Sequence, residues 1–386
     1  MRAATASIVH EDAERAGREV IAELLDELGG KPDLVLVFAS ARYEPEALLR
    51  GIWSRLPEGV ELAGCSSCAE IGAEEALSGS VTVMGIQLGS VSCATLVVEH
   101  IQGRSREAGR ELGERARSFE PGLLIVLPDG IGTNGAQLLE GLQEVVGRRF
   151  PIVGGVAADE LRFQRTWELR GREVLHGGAV AVALKGDISF FSAAKGGWQP
   201  VGAARTCTRV ENGTLLLELD GRPALGIYKD FLGERAANLE TAGIEFPLGV
   251  VGGMPGDYQM SDEQILVVRA VQGVDEARQG LLLSGEIQEG ARVRLTRGTK
   301  EDLIQSAAGA VEEATRALPG ASLALFFDCA GRKVVLGPRY KDEVEAAFAR
   351  LGDVPRIGFY TYGELSPVQG VTLHHDETFT MMLLRA

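Results

Sequence analysis

The sequence predicts an α/β (α+β) protein in which a strand, helix, strand and hairpin unit is repeated and the copies form two sheet-and-helix domains. Three observations carry this. Continuous apolar runs such as LVLVFAS (34–40) and LLIVLP (123–128) alternate with amphipathic segments of helical period, the pattern of strands covered on both faces. A seven-residue turn, G-x5-E, follows an apolar strand three times, as GCSSCAE (64–70), GGVAADE (154–160) and GFYTYGE (358–364). Fifty glycines stand against six tyrosines and thirteen phenylalanines, which suits short strands joined by shaped loops.

Taken in order, a helix is expected over Ala13 to Leu28, closed by Gly29-Gly30, before the strand PDLVLVFAS. A second helix follows from Glu44 to Leu56, with Pro45 in a first turn that tolerates it. VELAG is a short strand ending at the first turn motif, and GSVTVMGIQLGSVSCATLVVE reads as a hairpin turning at Leu88-Gly89-Ser90. The order then restarts: PGLLIVLPDG is a strand, GAQLLEGLQEVVG a helix, FPIVGGVAADE a strand, and GGAVAVALKGDISFFSA a matching hairpin at Gly186-Asp187. Gly64 and Gly154 are 90 positions apart and Leu34 and Leu123 are 89 apart, so the chain contains an internal duplication. A third copy runs through ASLALFFDCAGR, KDEVEAAFARLG and VPRIGFYTYGEL to HHDETFTMMLL, read as one closing strand. FPLGVVGG (246–253) reads as a degraded fourth copy. In LELDGRPALGIYKDFLG, Asp220-Gly221 closes a hairpin and Pro223 opens a helix, which divides the chain into domains 1–220 and 221–386.

Bulk properties narrow the function. A chain of 386 residues with 45% hydrophobic and 24% charged side chains is a folded protein too long for one ordinary core. Its net charge of −15 argues against nucleic acid or an anionic membrane as partner. The start, MRAATASIVHEDAERAG, lacks the apolar core of a signal peptide, and no run is long and apolar enough for a membrane span, so a cytoplasmic location is expected. Five cysteines, at 65, 68, 93, 207 and 329, do not form a disulfide framework.

Loops at the carboxyl ends of α/β strands gather short polar side chains and free backbone groups around a crevice. Ser40 and Arg42 after the first strand, Asp129, Thr133 and Asn134 after the second, and Asp328 and Arg332 after the third supply donors, acceptors and both charges. With Cys65, Ser66, Asp159, Tyr360, Tyr362 and Glu364 of the turns, they suit a small polar or zwitterionic ligand. Asp159 and Glu364 are expected to meet its ammonium or hydroxyl groups; the alternative is that they hold their own turns.

Catalysis is not expected. Cys65 and Cys68 form a lone C-x-x-C pair without the second pair a structural zinc needs, and no G-x-S-x-G elbow or phosphate loop occurs. No cofactor is expected. One alternative is an enzyme with Cys65 as nucleophile and Glu70 or Glu364 as base. Another is a haem protein, through His374 or His375, which as strand neighbours point to opposite faces so that at most one enters a site.

LVLVFAS, GCSSCAEIG and FPIVGGVAADELRFQRTWELRGREVLHGGAVAVAL together resemble the N-terminal region of the FIST sensory domains. LDGRPALGIYKDFLG, FFDCAGR and VPRIGFYTYGELSP resemble the family's C-terminal region, so the likeness covers nearly the whole chain. It implies a small-ligand sensor, with amino acids as proposed ligands and histidine kinases, cyclic-di-nucleotide enzymes or chemotaxis receptors as associates. Some free-standing members are described as haem-containing nitric oxide sensors. The resemblance places Cys65, Ser66, Asp159, Tyr362 and Glu364 in signature turns, while Cys68 and Ala69 depart from the small residue and glycine usual there. With no output domain attached, the signal is expected to pass to a separate partner, such as a histidine kinase.

Overall fold

Each continuous apolar run lies inside a six-stranded sheet. In the computed structural model, which describes residues 1–252 and 264–386, strand Leu34–Ser40 runs parallel to Glu61–Ser67, Leu123–Pro128 to Ile152–Gly155, and Leu323–Cys329 to Arg356–Thr361. All seven residues of Leu34–Ser40 are buried because both faces are covered. Leu36 and Phe38 join Ile125 and Leu127 of the second sheet and Leu325 and Phe327 of the third in one shared core. Val35 and Val37 meet the outer helices Ala13–Leu28 and Pro45–Trp53 instead. The other two sheets repeat the plan, with Ser105–Phe119 and Gly135–Val146 outside one and Lys300–Ala317 and Tyr340–Leu351 outside the other. Three sheets thus face inward on a common core. The α/β class and the repeat are as the sequence predicts.

The leading glycine of each turn has the same physical cause in all three copies. A Cβ at Gly64, Gly154 or Gly358 would lie 2.1, 1.9 or 2.3 Å from the carbonyl oxygen of Val37, Val126 or Phe326, the residue opposite it on the parallel strand. The trailing acid marks a crossing between sheets. Glu70 pairs with Phe359 of the third sheet, and Glu364 with Gly155 of the second. The equivalent place opposite Cys65 of the first sheet belongs to Glu168, not to Glu160. The second copy therefore carries extra residues after its turn, and its G-x5-E match aligns the wrong acid.

The segments read as hairpins at Leu88-Gly89-Ser90 and Gly186-Asp187 are not hairpins. Val81–Gln87 pairs with Arg2–Ile8 and Leu34–Ser40, whereas Ser92–Val98 pairs with Ala179–Lys185 of the second sheet. Ser189–Lys195 likewise leaves Ala179–Lys185 and pairs with Phe379–Arg385 in the third sheet. Each tight turn hands the chain to the next sheet. HHDETFTMMLL is also divided: Val371–His375 pairs with Glu364–Val368 in the second sheet, and Phe379–Arg385 with Leu323–Cys329 in the third.

An eight-stranded antiparallel sheet occupies the chain between Ser189–Lys195 and the helix Lys300–Ala317, so it is inserted within the third copy. Leu248–Val251 lies here, antiparallel to Ile265–Arg269 and Arg292–Arg297, and lacks the parallel partner a fourth copy requires. The last residue of FPLGVVGG, at 253, lies outside the described residues. Asp220-Gly221 does close a two-residue hairpin, at φ of 51° and 73°, and the helix Ala224–Leu232 follows Pro223. Because this sheet draws strands from both sides of residue 220, that point divides the sequence and not the sheets.

Candidate functional site

The extra residues of the second copy make a loop that Asp159 holds. Its Oδ1 accepts the Phe163 N–H at 2.9 Å and the Tyr362 hydroxyl, and its Oδ2 accepts the N–H groups of Gln164 and Arg165 at 2.7 and 2.9 Å. Glu160, Leu161 and Phe163 all sit at left-handed φ, between 52° and 62°, a conformation that costs about 1 to 2 kcal/mol per residue unless something enforces it. Burial opposes ionisation of Asp159, but the Tyr362 hydroxyl and the N–H groups of Arg165, Gln164 and Phe163 hold its carboxyl below the ordinary value. The geometry therefore gives Asp159 the turn-holding role. Asp159→Ala is expected to lower stability at pH 7 by about 2 to 3 kcal/mol. A depressed folded pKa contributes stability above the unfolded value and loses it as pH falls through the folded one, so the deficit should shrink below about pH 4. Urea melts at pH 7 and pH 3 check this; equal stability of both proteins at pH 7 would reject it.

The loop faces a cavity of about 710 Å³. Its walls are the 130–136 loop after Leu123–Pro128, the turns at Val156 and Thr361-Tyr362, the start of the helix Ala330–Leu336, and the segment 374–377. The inserted sheet closes it through Thr214, residues 270–272 and residues 282–285. Two polar clamps hold that sheet in place. Arg269 bonds Asp376 at 2.8 Å with both side chains buried, and the Asn134 and Gln137 amides donate to Glu286 at 3.0 and 2.8 Å.

Three buried groups give the cavity its character. His374 has no partner for Nδ1, and burial pulls its pKa below the ordinary imidazole value, so the ring is neutral. Glu377 has no partner for Oε2, and burial, opposed by Arg332, pushes its carboxyl up to about 8. Burial and then Glu377 push the Cys329 thiol well above its ordinary value, so it stays protonated. Partnerless buried polar atoms are uncommon in folded proteins and mark places where a ligand can supply the missing bond.

Of the residues expected from the sequence, Thr133, Asn134 and Tyr362 line this cavity, and Asn134 also caps the helix Gly135–Val146. Arg42 lines a separate hollow of about 720 Å³, where Lys333 already donates to the Cys68 carbonyl at 2.9 Å and the Ser78 hydroxyl at 3.3 Å. The rest are internal struts. Ser40 donates to Glu160, and Ser66 accepts the Trp167 N–H at 3.2 Å. Asp129 accepts from the Thr166 and Thr133 hydroxyls, the Gln102 amide and the Ile131 N–H. Asp328 pairs with Arg332 at 3.2 Å, Tyr360 donates to the Tyr340 carbonyl at 3.2 Å, and Glu364 accepts the Thr361 hydroxyl at 2.9 Å with all three fully buried. Cys65 is fully buried in the shared core, where burial and Glu168 push its thiol well above the ordinary value, so a substrate has no access to it. Cys68, also buried, is pushed up to about 11.

Asp376, Glu377 and Cys329 are the functional candidates that sequence reasoning missed, while the sequence singles out His374 only for the haem alternative. At HHDE the alternation argument does hold: His374 lines the cavity, while His375 turns away to the Ser366 carbonyl at 3.0 Å. No Lys or Arg occurs among the described lining residues to meet the carboxylates of a haem, and the His374 ring is wedged where a Cβ at Gly135 or Gly363 would lie 2.6 Å from Nε2. No group of three metal-ligating side chains occurs among the described residues.

Residues 33–222 match the FIST N domain and residues 224–367 the FIST C domain. An uncharacterized protein of Mycobacterium tuberculosis is 26% identical over 378 residues, covering 96% of each chain. One of Mycobacterium bovis is 26% identical over 383 residues, again covering 96% of each. Among solved structures, a cyanuric acid hydrolase from A. caulinodans aligns over 100% of this chain and 99% of its own at 8% identity and a TM-score of 0.37.

Proposed function

The chain belongs to the FIST family of small-ligand-binding sensory domains, and from that premise we propose that it senses a small polar metabolite, amino acids among the candidates, in the 710 Å³ cavity. The observation that carries this reading is the pair of buried polar groups, His374 and Glu377, left without partners in its wall. The inserted sheet is the moving part. It is clamped to the second copy through Glu286 and to the third through Arg269, and the partners those clamps grip, Asn134 and Asp376, line the cavity. A ligand that binds one setting of the sheet more tightly than another redistributes the two, and a difference of a few kcal/mol suffices. The rearranged surface then signals to a separate protein, such as a histidine kinase. The protein acts as a binder and not as an enzyme, since its buried thiols are held protonated. Its place is the cytoplasm; five free cysteines agree with that, and no helix among the described residues is long and apolar enough to cross a membrane.

Thermal-shift screening of amino acids and other small metabolites tests the reading. At least one compound should raise the melting temperature, and ligand at a hundredfold excess over its Kd should add about 2.7 kcal/mol of stability. A flat response across a broad library would sink the proposal.

A further inference from the structure

Resting on that reading of the cavity, we infer that the chemical group it selects is a cationic amine, and that a carboxylate next to that amine opposes binding. Amines rather than amino acids are then the ligand class.

The argument begins at the acidic end. Glu377 is 3% exposed and sits at a left-handed φ of 49°, which turns its side chain over Gly331. A Cβ at position 331 would lie 1.8 Å from its Oε1, so the glycine makes room for this carboxyl at the start of the helix Ala330–Leu336. Beside it, Asp376 is 4% exposed, and the partnerless Nδ1 of His374 lies 4.0 Å from the Asp376 Oδ2. An ammonium group offers three donors, and this end of the cavity presents two carboxyls and a neutral imidazole.

The described lining holds hydroxyls and amides but no cation to balance a carboxylate. No Lys or Arg occurs among the described lining residues. Arg269 lies behind Asp376 and is committed, donating to that carboxylate and to the carbonyls of Val268, His374 and Glu286. A ligand carboxylate two bonds from the ammonium would therefore be held near Glu377 and Asp376 with no compensating cation. The mouth favours a cation as well. Phe163 is 59% exposed and stacks on Tyr362 with ring centroids 4.7 Å apart, which leaves an aromatic face open to an ammonium or to an apolar ligand body.

Burial, opposed by Arg332 and assisted by Asp376, keeps Glu377 protonated in the free protein at neutral pH, with the Cys329 thiol and the buried Glu364 as further neighbours. An arriving ammonium displaces that proton and turns a lone acid into half of an ion pair.

The test uses the full chain and matched pairs that differ by one carboxylate: phenethylamine and phenylalanine, tyramine and tyrosine, agmatine and arginine, cadaverine and lysine. Calorimetric titration is expected to show at least one amine binding tenfold or more tightly than its amino acid. Glu377→Gln should weaken that amine at least tenfold without lowering the melting temperature of the free protein, because the amide is neutral as the buried acid is. Phe163→Ala, at an exposed position, should weaken it severalfold and serves if the first variant fails to fold. An amino acid that binds as well as its amine overturns the inference and leaves the sensory reading standing. So does another metabolite that binds where no amine does. Silence from both the pairs and the broad library removes both, and amine binding indifferent to both substitutions places the amine elsewhere and overturns the inference.

Discussion

Gly154→Ala is expected to cost about 3 to 5 kcal/mol of folding stability, read as a lower urea midpoint at an unchanged slope. The added Cβ would lie 1.9 Å from the Val126 carbonyl oxygen, with the carbon of that carbonyl and the Val126 nitrogen both at 2.9 Å. All three are backbone atoms of a strand paired on both sides, so no side-chain rotation relieves the contact. The φ of 153° at Gly154 adds strain of its own. Two controls separate the causes. Gly171 has a φ of 56° with nothing within 4 Å, so its alanine variant should lose only about 1 kcal/mol. Gly226, in the helix Ala224–Leu232, also has open space around it, and alanine there should be neutral or stabilise by up to about 1 kcal/mol. If Gly154→Ala cost no more than Gly171→Ala, the collision would not be what preserves glycine at the turn.

That collision also explains why the repeat was legible. A backbone constraint can be met only by glycine, so Gly64, Gly154 and Gly358 survive where the surrounding side chains have diverged. The apolar runs were legible because strands covered on both faces admit little else. Partner choice was not. Val81–Gln87 and Ser92–Val98 have the alternation and the turn of a hairpin, yet the pairing depends on Arg2–Ile8 and Ala179–Lys185, which are distant in sequence. The trailing acid failed for a related reason. Glu160 occupies the position a fixed spacing demands, but the loop held by Asp159 displaced the true equivalent to Glu168.

The candidate site was half legible on the same grounds. Asn134 and Tyr362 stand next to strand ends, and strand ends can be found from apolar patterning. His374 and Glu377 reach the cavity because the chain changes sheets between Val371–His375 and Phe379–Arg385, a break that an apparently continuous strand concealed. Asp328 misled in the opposite direction. A polar residue at a strand end reads as a ligand contact until a buried cation four residues later claims it.

Arg332→Met should accordingly be among the most damaging single substitutions, at about 3 to 5 kcal/mol. Arg332 is fully buried, 3.2 Å from Asp328 and bonded to Glu343, and both acids are fully buried too. It also donates to the carbonyls of Gly196 and Leu303, which ties the helix Ala330–Leu336 to Lys300–Ala317 and to the end of Ser189–Lys195. Methionine fills much of the volume but leaves two acids without a cation. Even in the intact protein, burial and then Glu343 hold Asp328 well above the ordinary carboxyl value, with Arg332 opposing. Without Arg332 the folded pKa of Asp328 rises further. A raised folded pKa means that stability is present below the unfolded value and is lost as pH rises through the folded one; the native protein stops losing it at its own folded value while the variant goes on, so the deficit should widen as pH rises past that point. Adding Asp328→Asn should restore about 1 to 2 kcal/mol at pH 8 and little at pH 5. Because this helix carries Gly331 and faces Glu377, ligand affinity should weaken alongside stability. Urea melts of the single and double variants at both pH values decide the matter: a deficit independent of pH and untouched by Asp328→Asn would mean that Arg332 acts by packing alone.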